Sequence, residues 1–437
     1  MSAATPVDGL RVAIVNWRDP WQPEAGGAEQ YAWQMARGLA ERGAVVRYLT
    51  ARAAGQPRRE HRDGIRIVRL GGRFTVYPLT AAWLLAHRRS FDAVLDCQNG
   101  IPFFTPCVLP RQVPVLCVVH HVHTAQFLVH FPAPAARAGQ FLEGPAARLA
   151  YRRHACVAVS PSTVTAMRER LRWRGPVYLI PNGAPEPAEP AVPAGETGQD
   201  PAALVWVGRL VAHKRAGLLL PLAERLRDRG VAIDVVGRGP DAAALAGQVA
   251  ARGLGGVLRL RGYLPEEAKR AVVAGARLHL NTSQGEGWGL CVLEAAALGV
   301  PTVAYDVDGL RDAVRDGETG WLVRAGESLD DVTERALKEL SDPGRRAEIA
   351  AACRAWAAQL TWPDSVARMA ALVGAAVRAG TAQGRHGQAW IVSVPGRGDV
   401  LAEGPVLDEL LRDAPEAALA RPATESERLL GRPAGAP

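Results

Sequence analysis

The sequence has few of the features that mark secreted, membrane-spanning or nucleic-acid-binding proteins. Its 437 residues include only six cysteines, and no C-x-x-C pair occurs among them, which predicts a reduced, cytoplasmic protein without a disulfide framework. The N-terminus has no charged-then-apolar signal, and no apolar run reaches the roughly 18 residues that a membrane-spanning helix needs. No dense Lys/Arg block, zinc-finger spacing or aromatic RNA-binding run is present, so nucleic acid is not an expected partner.

The chain does contain enough apolar sequence for two domains. Hydrophobic residues make up 48% of it, and 437 residues exceed the roughly 250 to 300 at which a single core stops growing. Lys and Arg number 52 against 44 Asp and Glu, which gives a formal net charge of +8. This modest excess suits phosphates or an anionic membrane surface as partners.

Apolar runs alternate with helical patterns along both halves of the chain, which predicts parallel sheets covered by helices on both faces. In the first half the predicted strands are 11–17, 45–50, 65–70, 93–96, 115–119, 156–160 and 177–180. In the second half they are 203–207, 233–236, 258–260, 278–281 and 302–304. Helices are predicted at 29–42, after the capping residue Ser160, and at 363–379.

The expected architecture is two Rossmann-like, doubly wound α/β domains facing across a cleft. The first spans 1–184, a Pro/Ala/Glu-rich linker follows at 185–201, and the second spans 202–379, with its last helix able to pack back on the first domain. Residues 380–437 predict a weakly ordered tail with a short apolar run at 389–394 and a helix near 406–412. Ligands of such sheets bind beyond the carboxyl ends of the strands.

Two acids in the second domain bracket a helix start. Glu286 lies on a glycine-broken loop, Glu294 lies about two turns later, and the amides near Gly289 and Leu290 have no intrahelical acceptors. Free amides at a helix N-terminus bind anions, so a diphosphate could rest there while the acids accept hydrogen bonds from hydroxyls. The pattern therefore indicates a nucleotide sugar, although alone it also fits a capped helix with two surface acids.

Two cations follow the first strand of the same domain. Gly208 permits a close turn, and Arg209 and Lys214 can both reach the mouth of the sheet. Arginine can clamp two phosphate oxygens, and lysine adds a point charge that stabilises a departing diphosphate. A solvated basic loop is the alternative when these residues are considered alone.

Four motifs in this order resemble the C-terminal domain of family 4 glycosyltransferases with the GT-B fold. They are GRLVAHKR, VVGRGP, LRGYLPEE and NTSQGEGWGLCVLEAAALGVPTVAY, and the resemblance extends over about residues 10–379. It implies an N-terminal acceptor domain and a C-terminal donor domain. For the donor it implies that Arg209 and Lys214 bind the diphosphate, Glu286 the sugar and Glu294 the ribose. The backbone around Gly262, Tyr263 and Leu264 would border the base.

The first domain carries a glycine pair between its first strand and first helix. Gly26 and Gly27 would let a ligand approach the helix N-terminal amides, which is weak evidence alone. The resemblance implies that this loop closes over the donor phosphate and sugar. The pair is therefore a predicted donor contact by association.

Three histidines follow the strand at 115–119. In an extended segment His120 faces opposite to His121 and His123, and no carboxylate lies nearby in the sequence, so a metal site is not expected. The resemblance implies that one histidine here approaches the reaction centre, and the strand register favours His120, with His121 as second choice. His121, His123 and Asn99 are candidate acceptor contacts, and Asn99 also suits a turn.

Asp306-Val307-Asp308 is a D-x-D string, which holds a metal in unrelated transferases. We interpret it as structural, because it stands where the family usually has a glycine-rich turn. No metal and no cofactor is expected. This departure from the family pattern affects donor or acceptor detail rather than the class of enzyme.

A basic helical segment runs from Arg137 through Arg148 to Arg152 and Arg153, with apolar residues interspersed. Such a pattern fits a solvated helix face, and it also fits a helix lying on an anionic membrane. Peripheral contact with the inner face of the membrane is therefore one hypothesis for a cytoplasmic protein.

The predicted activity is metal-independent, retaining transfer of a sugar from a nucleoside-diphosphate sugar to a hydroxyl or amine acceptor. Glycan precursors, lipid-linked sugars and specialised-metabolite aglycones are the acceptor classes considered. A GT-B hydrolase or epimerase acting on nucleotide sugars is one alternative. A noncatalytic sugar-nucleotide-binding subunit is another, and catalytic roles are predicted for His120, Glu286, Arg209 and Lys214.

Overall fold

The computed structural model describes residues 5–185, 204–379, 390–394, 398–402 and 418–422. The chain divides into two compact units, one of Met1–Asn182 with Trp362–Pro437 and one of Gly183–Thr361. Nearly all of the predicted linker at 185–201 lies outside the described residues.

The first unit begins with eight strands and six helices. The strands are β1 (Arg11–Val15), β2 (Val45–Thr50), β3 (Arg59–Arg62), β4 (Ile65–Arg69), β5 (Ala93–Gln98), β6 (Val115–Val119), β7 (Ala155–Ala158) and β8 (Val177–Leu179). The helices are α1 (Gly27–Glu41), α2 (Val76–Ala86), α3 (Thr124–His130), α4 (Ala133–Phe141), α5 (Ala147–Tyr151) and α6 (Pro161–Glu169). A π-helical turn, Leu142–Ala146, joins α4 to α5.

Seven of these strands form a parallel sheet in the order β8-β7-β6-β5-β1-β2-β4, and β3 pairs antiparallel with β4 at its edge. The central strands β5 and β6 are buried at every residue, as a sheet covered on both faces requires. The chain order reverses between β1 and β5. Ligands of α/β sheets bind at such a switch point, beyond the carboxyl ends of the strands.

The second unit contains six strands and seven helices among its described residues. The strands are β9 (Leu204–Val207), β10 (Ile233–Val236), β11 (Leu258–Gly262), β12 (Leu278–Asn281), β13 (Thr302–Tyr305) and β14 (Gly320–Val323). The helices are α7 (Leu219–Leu226), α8 (Ala242–Ala251), α9 (Glu266–Ala274), α10 (Leu290–Ala297), α11 (Leu310–Ala313), α12 (Leu329–Glu339) and α13 (Pro343–Ala358). All pairs are parallel, in the order β11-β10-β9-β12-β13-β14, so the switch point lies between β9 and β12.

The chain then returns to the first unit through α14 (Trp362–Ala379), which packs along α1. Their approach is close at Gly38, where an added Cβ would lie 2.3 Å from Cγ1 of Val366. The Ser365 hydroxyl donates to the carbonyl of Pro181 at 2.7 Å. A glycine on α1 thus permits the contact that fixes α14 to this unit.

Within the predicted tail the structure describes three five-residue strands, β15 (Trp390–Val394), β16 (Gly398–Ala402) and β17 (Ala418–Pro422). β17 pairs parallel with β8, and β15 pairs antiparallel with both β16 and β17, so they extend the sheet of the first unit. The helix predicted near 406–412 lies outside the described residues.

The predicted fold class is confirmed, because both units are α/β and are built on mainly parallel sheets. The twelve predicted strands are found within a few residues of their expected ends. Five described strands were not predicted: β3, β14 and the three strands of the predicted tail, β15, β16 and β17. The sequence of β3, Arg-Glu-His-Arg, has no apolar residue and so gives no strand pattern. β14 is as long as the predicted β9, with four residues each, and it was missed.

Candidate functional site

Four predicted residues of the second unit lie at the carboxyl edge of its sheet, and we call them the charged edge: Arg209, Lys214, Glu286 and Glu294. Arg209 follows β9, and Lys214 ends a short 3-10 turn after it. Glu286 lies on the loop after β12, and Glu294 lies on α10, which this loop enters. Because β9 and β12 flank the switch point, the topology puts these residues where α/β proteins bind ligands.

Lys214 and Glu286 form an ion pair through Nζ and Oε1. The Ser283 hydroxyl also donates to Oε1 of Glu286, at 2.7 Å. Both charged side chains are largely buried, with 15% and 17% exposed. Burial opposes both charges, but their attraction outweighs it, so the pKa of Lys214 is raised and the pKa of Glu286 is lowered. The pair is therefore ionised at neutral pH.

A hydrogen-bond network around Thr282 joins the two loops that carry this pair. Its hydroxyl accepts from the indole of Trp206 at 2.9 Å and donates to the carbonyl of Lys214 at 2.6 Å. The Arg215 guanidinium donates to the carbonyls of Thr282 and Ser283 at 2.8 and 3.1 Å. These contacts fix the positions of Lys214 and Glu286 before any ligand binds.

The backbone of the D-x-D turn supports the Glu286 loop. The amide of Glu286 donates to the carbonyl of Asp308 at 3.0 Å. Gly309 has φ +78°, and a Cβ there would lie 2.4 Å from the carbonyl oxygen of Glu286. Only glycine fits both this conformation and this close approach.

The acids of the D-x-D string pair with a neighbouring arginine. Nε of Arg311 lies 2.7 Å from Oδ1 of Asp306, and its Nη1 lies 3.2 Å from Oδ1 of Asp308. In the described part of the chain, no cluster of three or more His, Cys, Asp or Glu side chains could hold a metal. These aspartates hold the turn together.

The N-terminus of α10 lies between the two predicted acids. Gly289 caps it with φ +93°, and the amide of Val292 bonds back to the Gly289 carbonyl at 2.9 Å. Within the described residues, the amides of Leu290 and Cys291 have no acceptor. The indole N–H of Trp288 is likewise buried without a partner there, a feature that sequence inspection missed. Unpaired donors at a helix N-terminus suit an anion, so the geometry is compatible with the predicted diphosphate contact.

Glu294 pairs with Lys269 on α9, a residue that sequence inspection also missed. Nζ of Lys269 lies 3.0 Å from Oε2 of Glu294 and 2.9 Å from Glu266. Burial raises the pKa of Glu294, although Lys269 acts to lower it. The pKa of Lys269 is raised, because the attraction of Glu294 and Glu266 outweighs the effect of burial. The nearby cation is what opposes protonation of Glu294.

The Cys291 thiol lies within the influence of both pairs, since the charges of Lys214, Glu286, Lys269 and Glu294 all act on it. Burial raises its pKa to about 12. It is therefore a neutral side chain at the start of α10, flanked by charge.

The residues predicted to border a base follow β11 at the same edge. The Gly262 carbonyl accepts from the amide of Gly237 at 2.8 Å. Tyr263 is 65% exposed, and the Arg238 guanidinium lies 4.7 Å from its ring centroid. Leu264 is half-buried and packs against the core of the second unit.

The predicted residues at the carboxyl edge of the first unit are Asn99, His120, His121 and His123, which we call the histidine edge. His120 follows β6, is 6% exposed and packs edge-on against Tyr31 with ring centroids 5.0 Å apart. Its Nε2 has no partner among the described residues. Burial, helped by His123, lowers the pKa of His120 to about 3, so its imidazole is neutral.

The other two histidines lie together. The rings of His121 and His123 are 5.2 Å apart, and Nδ1 of His123 lies 2.9 Å from the carbonyl of His121. A buried carboxylate, Glu143, accepts from the amide of His123 and from the Thr124 hydroxyl, the latter at 3.1 Å. It lies twenty residues away in the sequence, and for that reason sequence inspection missed it.

Asn99 lies at the switch point of the first sheet. Its side-chain amide donates to Oδ1 of Asn16, which follows β1, at 2.8 Å. Asn16 in turn donates to the hydroxyl of Tyr48 at 3.0 Å. The contact joins the loops after β1 and β5.

At the glycine pair, an internal carboxylate already occupies part of the helix N-terminus. Oε2 of Glu29 accepts from the amide of Gly26 at 2.7 Å, and Oε1 lies 3.3 Å from Nε of Arg18. Gly27 begins α1. A ligand here would meet the remaining amides of the first turn rather than that of Gly26.

Two family models match the chain. Glycosyltransferase Family 4 matches residues 25–186, and Glycosyl transferases group 1 matches residues 192–356. Among solved structures, sucrose-phosphate synthase from Thermosynechococcus elongatus has a TM-score of 0.69 at 23% identity, covering 83% of this chain and 98% of that one. Anabaena HepE in complex with UDP-glucose has a TM-score of 0.64 at 17% identity, covering 83% and 98%. These likenesses show the GT-B fold.

Curated relatives align over shorter segments. A D-inositol 3-phosphate glycosyltransferase of Gordonia bronchialis is 34% identical over 42% of this chain and 43% of its own length. A GDP-mannose-dependent alpha-(1-6)-phosphatidylinositol monomannoside mannosyltransferase of Mycolicibacterium smegmatis is 31% identical over 52% of this chain and 65% of its own length. This chain thus spans less than two thirds of the length of either relative. With one family model on each half, the chain belongs to the family 4, group 1 glycosyltransferases.

Proposed function

We propose that this protein transfers a sugar, with retention of anomeric configuration and without a metal, from a nucleoside-diphosphate sugar to a hydroxyl or amine acceptor. The observation that carries the proposal is the charged edge: an ionised Lys214–Glu286 pair beside the free amides of α10 at the switch point of a Rossmann sheet. Cations and helix amides suit a diphosphate, and carboxylates that accept hydrogen bonds suit the hydroxyls of a sugar and a ribose, so the set fits a nucleoside-diphosphate sugar.

In this proposal the diphosphate binds to the amides of Leu290 and Cys291 and to Arg209 and Lys214. These groups supply the positive charge that a metal supplies elsewhere, and they stabilise the charge on the leaving diphosphate. Glu286, held by Ser283, accepts hydrogen bonds from the donor sugar. Glu294 accepts them from the ribose.

The bond between the anomeric carbon and the diphosphate oxygen breaks as the bond to the acceptor oxygen or nitrogen forms on the same face. The departing phosphate oxygen takes the acceptor's proton, so no protein carboxylate acts as nucleophile. His120 is neutral and contributes as a hydrogen-bonding group rather than as a general base, because its pKa of about 3 makes it a very weak one. Positioning and charge stabilisation supply the catalysis.

The test is to incubate the full chain with UDP-, GDP- and ADP-sugars, acceptors from the three predicted classes and polyol phosphates, with and without EDTA. We expect transfer that EDTA does not inhibit, and a product that keeps the donor's anomeric configuration by NMR. Inversion of configuration, or activity restored only by added divalent metal, would overturn the corresponding part of the proposal. Free sugar formed without acceptor would favour a hydrolase, and binding without turnover a noncatalytic subunit.

We also propose peripheral docking on an anionic membrane through the segment 124–153. Several of its large apolar side chains are exposed: Leu128, Phe131, Phe141 and Leu149. Arg137, Arg152 and Arg153 on the same segment are exposed as well, so apolar contact and positive charge occur together. No helix in the described part of the chain is long and apolar enough to cross a bilayer. Cytoplasmic localisation remains a prediction.

Docking is tested by flotation with vesicles of phosphatidylglycerol and phosphatidylcholine. F141D and L149D should each reduce binding, and high salt should weaken it. L85D is the matched control, because Leu85 is also exposed but lies on α2. Equal binding by all three variants, or equal binding to pure phosphatidylcholine, would contradict this proposal.

A further inference from the structure

Lys269 occupies a position from which it acts on the candidate ribose-binding acid. It lies one turn into α9, which starts just after β11, and Glu294 lies one turn into α10, which starts shortly after β12. Both helices begin at the carboxyl edge of the sheet. The 3.0 Å contact with Oε2 of Glu294 links them there.

The contact uses only half of the carboxylate. Within residues 204–379, Oε1 of Glu294 has no hydrogen-bond donor, and 27% of the side chain is exposed. Lys269 is mostly buried, with 18% exposed, whereas its other partner, Glu266, is 75% exposed. A buried lysine can hold one oxygen of a carboxylate in place and leave the other oxygen for a ligand. An exposed ion pair would contribute little to such positioning, because solvent screens it.

We propose that Lys269 is a positioning residue for nucleotide binding: it holds Glu294 ionised through one oxygen, so that the other accepts hydrogen bonds from the ribose of a nucleoside diphosphate. This inference rests on the proposed function. Vicinal ribose hydroxyls are donors, and an ionised carboxylate only accepts, whereas a protonated one brings a competing donor. Without Lys269, burial would shift Glu294 toward the protonated form at neutral pH.

The groups that act on the Glu294 carboxyl are Lys269 and Glu266, both on α9. The other elements packed against α10 are β12, β13, α11 and α13. Their charged or titratable residues are His279, Tyr305, Arg311, Asp312, Arg345, Arg346, Glu348, Cys353 and Arg354. His279 is neutral, since burial lowers its pKa to about 3. Lys269 is therefore the cation on which the ionisation of Glu294 depends.

The experiment titrates UDP, GDP and inorganic pyrophosphate, without metal, into the full chain and its variants by calorimetry from pH 5.5 to 8.5. K269M removes the charge, and K338M is the matched control, because Lys338 is exposed on α12. E266Q removes the other partner of Lys269 and leaves its contact with Glu294. Taking the ratio of the dissociation constants of K269M and K338M at each pH cancels the ligand's own ionisation.

For UDP or GDP this ratio should rise as the pH falls, approaching tenfold per pH unit below the pKa of Glu294 in K269M, while the ratio for pyrophosphate stays near one. E266Q should bind like the unmodified chain. If K269M does not fold, E294Q should show the same loss for UDP or GDP with no pH dependence.

A flat ratio near one for UDP and GDP would overturn the inference. An equal loss for pyrophosphate would do so as well, because it would place Lys269 in phosphate binding. If the unmodified chain binds neither UDP nor GDP, the result contradicts the proposed function itself, and the role of Lys269 falls with it.

Discussion

The charged edge and the histidine edge occupy equivalent places in two parallel sheets, yet their polar groups are neutralised in different ways. At the charged edge, opposite charges are paired across loops and helices, as in Lys214–Glu286 and Lys269–Glu294. At the histidine edge, burial itself keeps His120 neutral, and amides such as Asn99 bond to other amides. The same topology therefore supports two electrostatic environments.

This difference indicates what each edge can bind. Paired charges and free helix amides are preorganised for a ligand of fixed charge, such as a diphosphate. Neutral imidazole and amide groups bind hydroxyls without a strong preference for charge. The charged side chains of the charged edge should therefore contribute more to turnover than the residues that only hold the Glu286 loop in place.

The largest effect is expected from breaking the Lys214–Glu286 pair. K214M removes the charge that stabilises the leaving diphosphate and leaves Glu286 buried without its cation, so turnover should fall roughly 10²- to 10³-fold. Steady-state kinetics measure the loss, circular dichroism checks the fold, and K338M controls for loss of a lysine. Turnover within threefold of the unmodified chain would mean that the charged edge is not the catalytic one.

A smaller loss is expected at the glycine that supports the Glu286 loop. G309A combines a φ of +78° with a 2.4 Å clash against the Glu286 carbonyl, and should cost about 2 kcal/mol or more together with about tenfold in turnover. G317A is the matched control, because Gly317 has φ +79° and nothing within 4 Å of an added Cβ. Thermal melts and kinetics of both separate the backbone cost from displacement of Glu286. Equal melting temperatures and equal turnover in G309A and G317A would rule out displacement of Glu286.

Acid sensitivity should be similar in the two units, because each buries one neutral histidine, His120 and His279. Their folded pKa of about 3 lies below the ordinary 6.5, so the unfolded chain binds more protons between these values. The free energy of unfolding should therefore fall as the pH drops through this window, by up to about 1.4 kcal/mol per pH unit for each histidine. H120Q and H279Q should each weaken the pH dependence of the free energy of unfolding, measured by chemical denaturation from pH 7.5 to 4.5. Unchanged pH dependence in both would contradict burial as the cause.

The smallest effect is expected from one hydrogen bond to Glu286. S283A removes the 2.7 Å donor but leaves the Lys214 pair, so donor KM should rise about fivefold, equivalent to about 1 kcal/mol. S341A is the control, since the Ser341 hydroxyl bonds to the carbonyl of Lys338 on an exposed surface. A loss of turnover as large as that of K214M would mean that Ser283, rather than the lysine, holds Glu286.

Much of the fold followed from local pattern. Buried strands such as β6 are continuous apolar runs, and Ser160 caps α6 as predicted, accepting from the amide of Thr163 at 3.0 Å. β3 did not follow, because a polar edge strand takes its conformation from the neighbouring strand. Of the short strands β15, β16 and β17, only β17 pairs directly with β8, and the other two pair beyond it.

At the candidate site, the sequence by itself determined the types and order of the groups: the fixed cations after one strand, the two acids around a helix start, and the glycines that let loops approach. It could do so because these are local properties of turns and helix ends. Only the tertiary structure decided which groups meet. The pairing of Lys214 with Glu286 joins residues 72 positions apart, Lys269 meets Glu294 across 25, and Glu143 reaches His123 across 20. Such contacts depend on strand order and helix packing, which bring distant segments to one edge of a sheet.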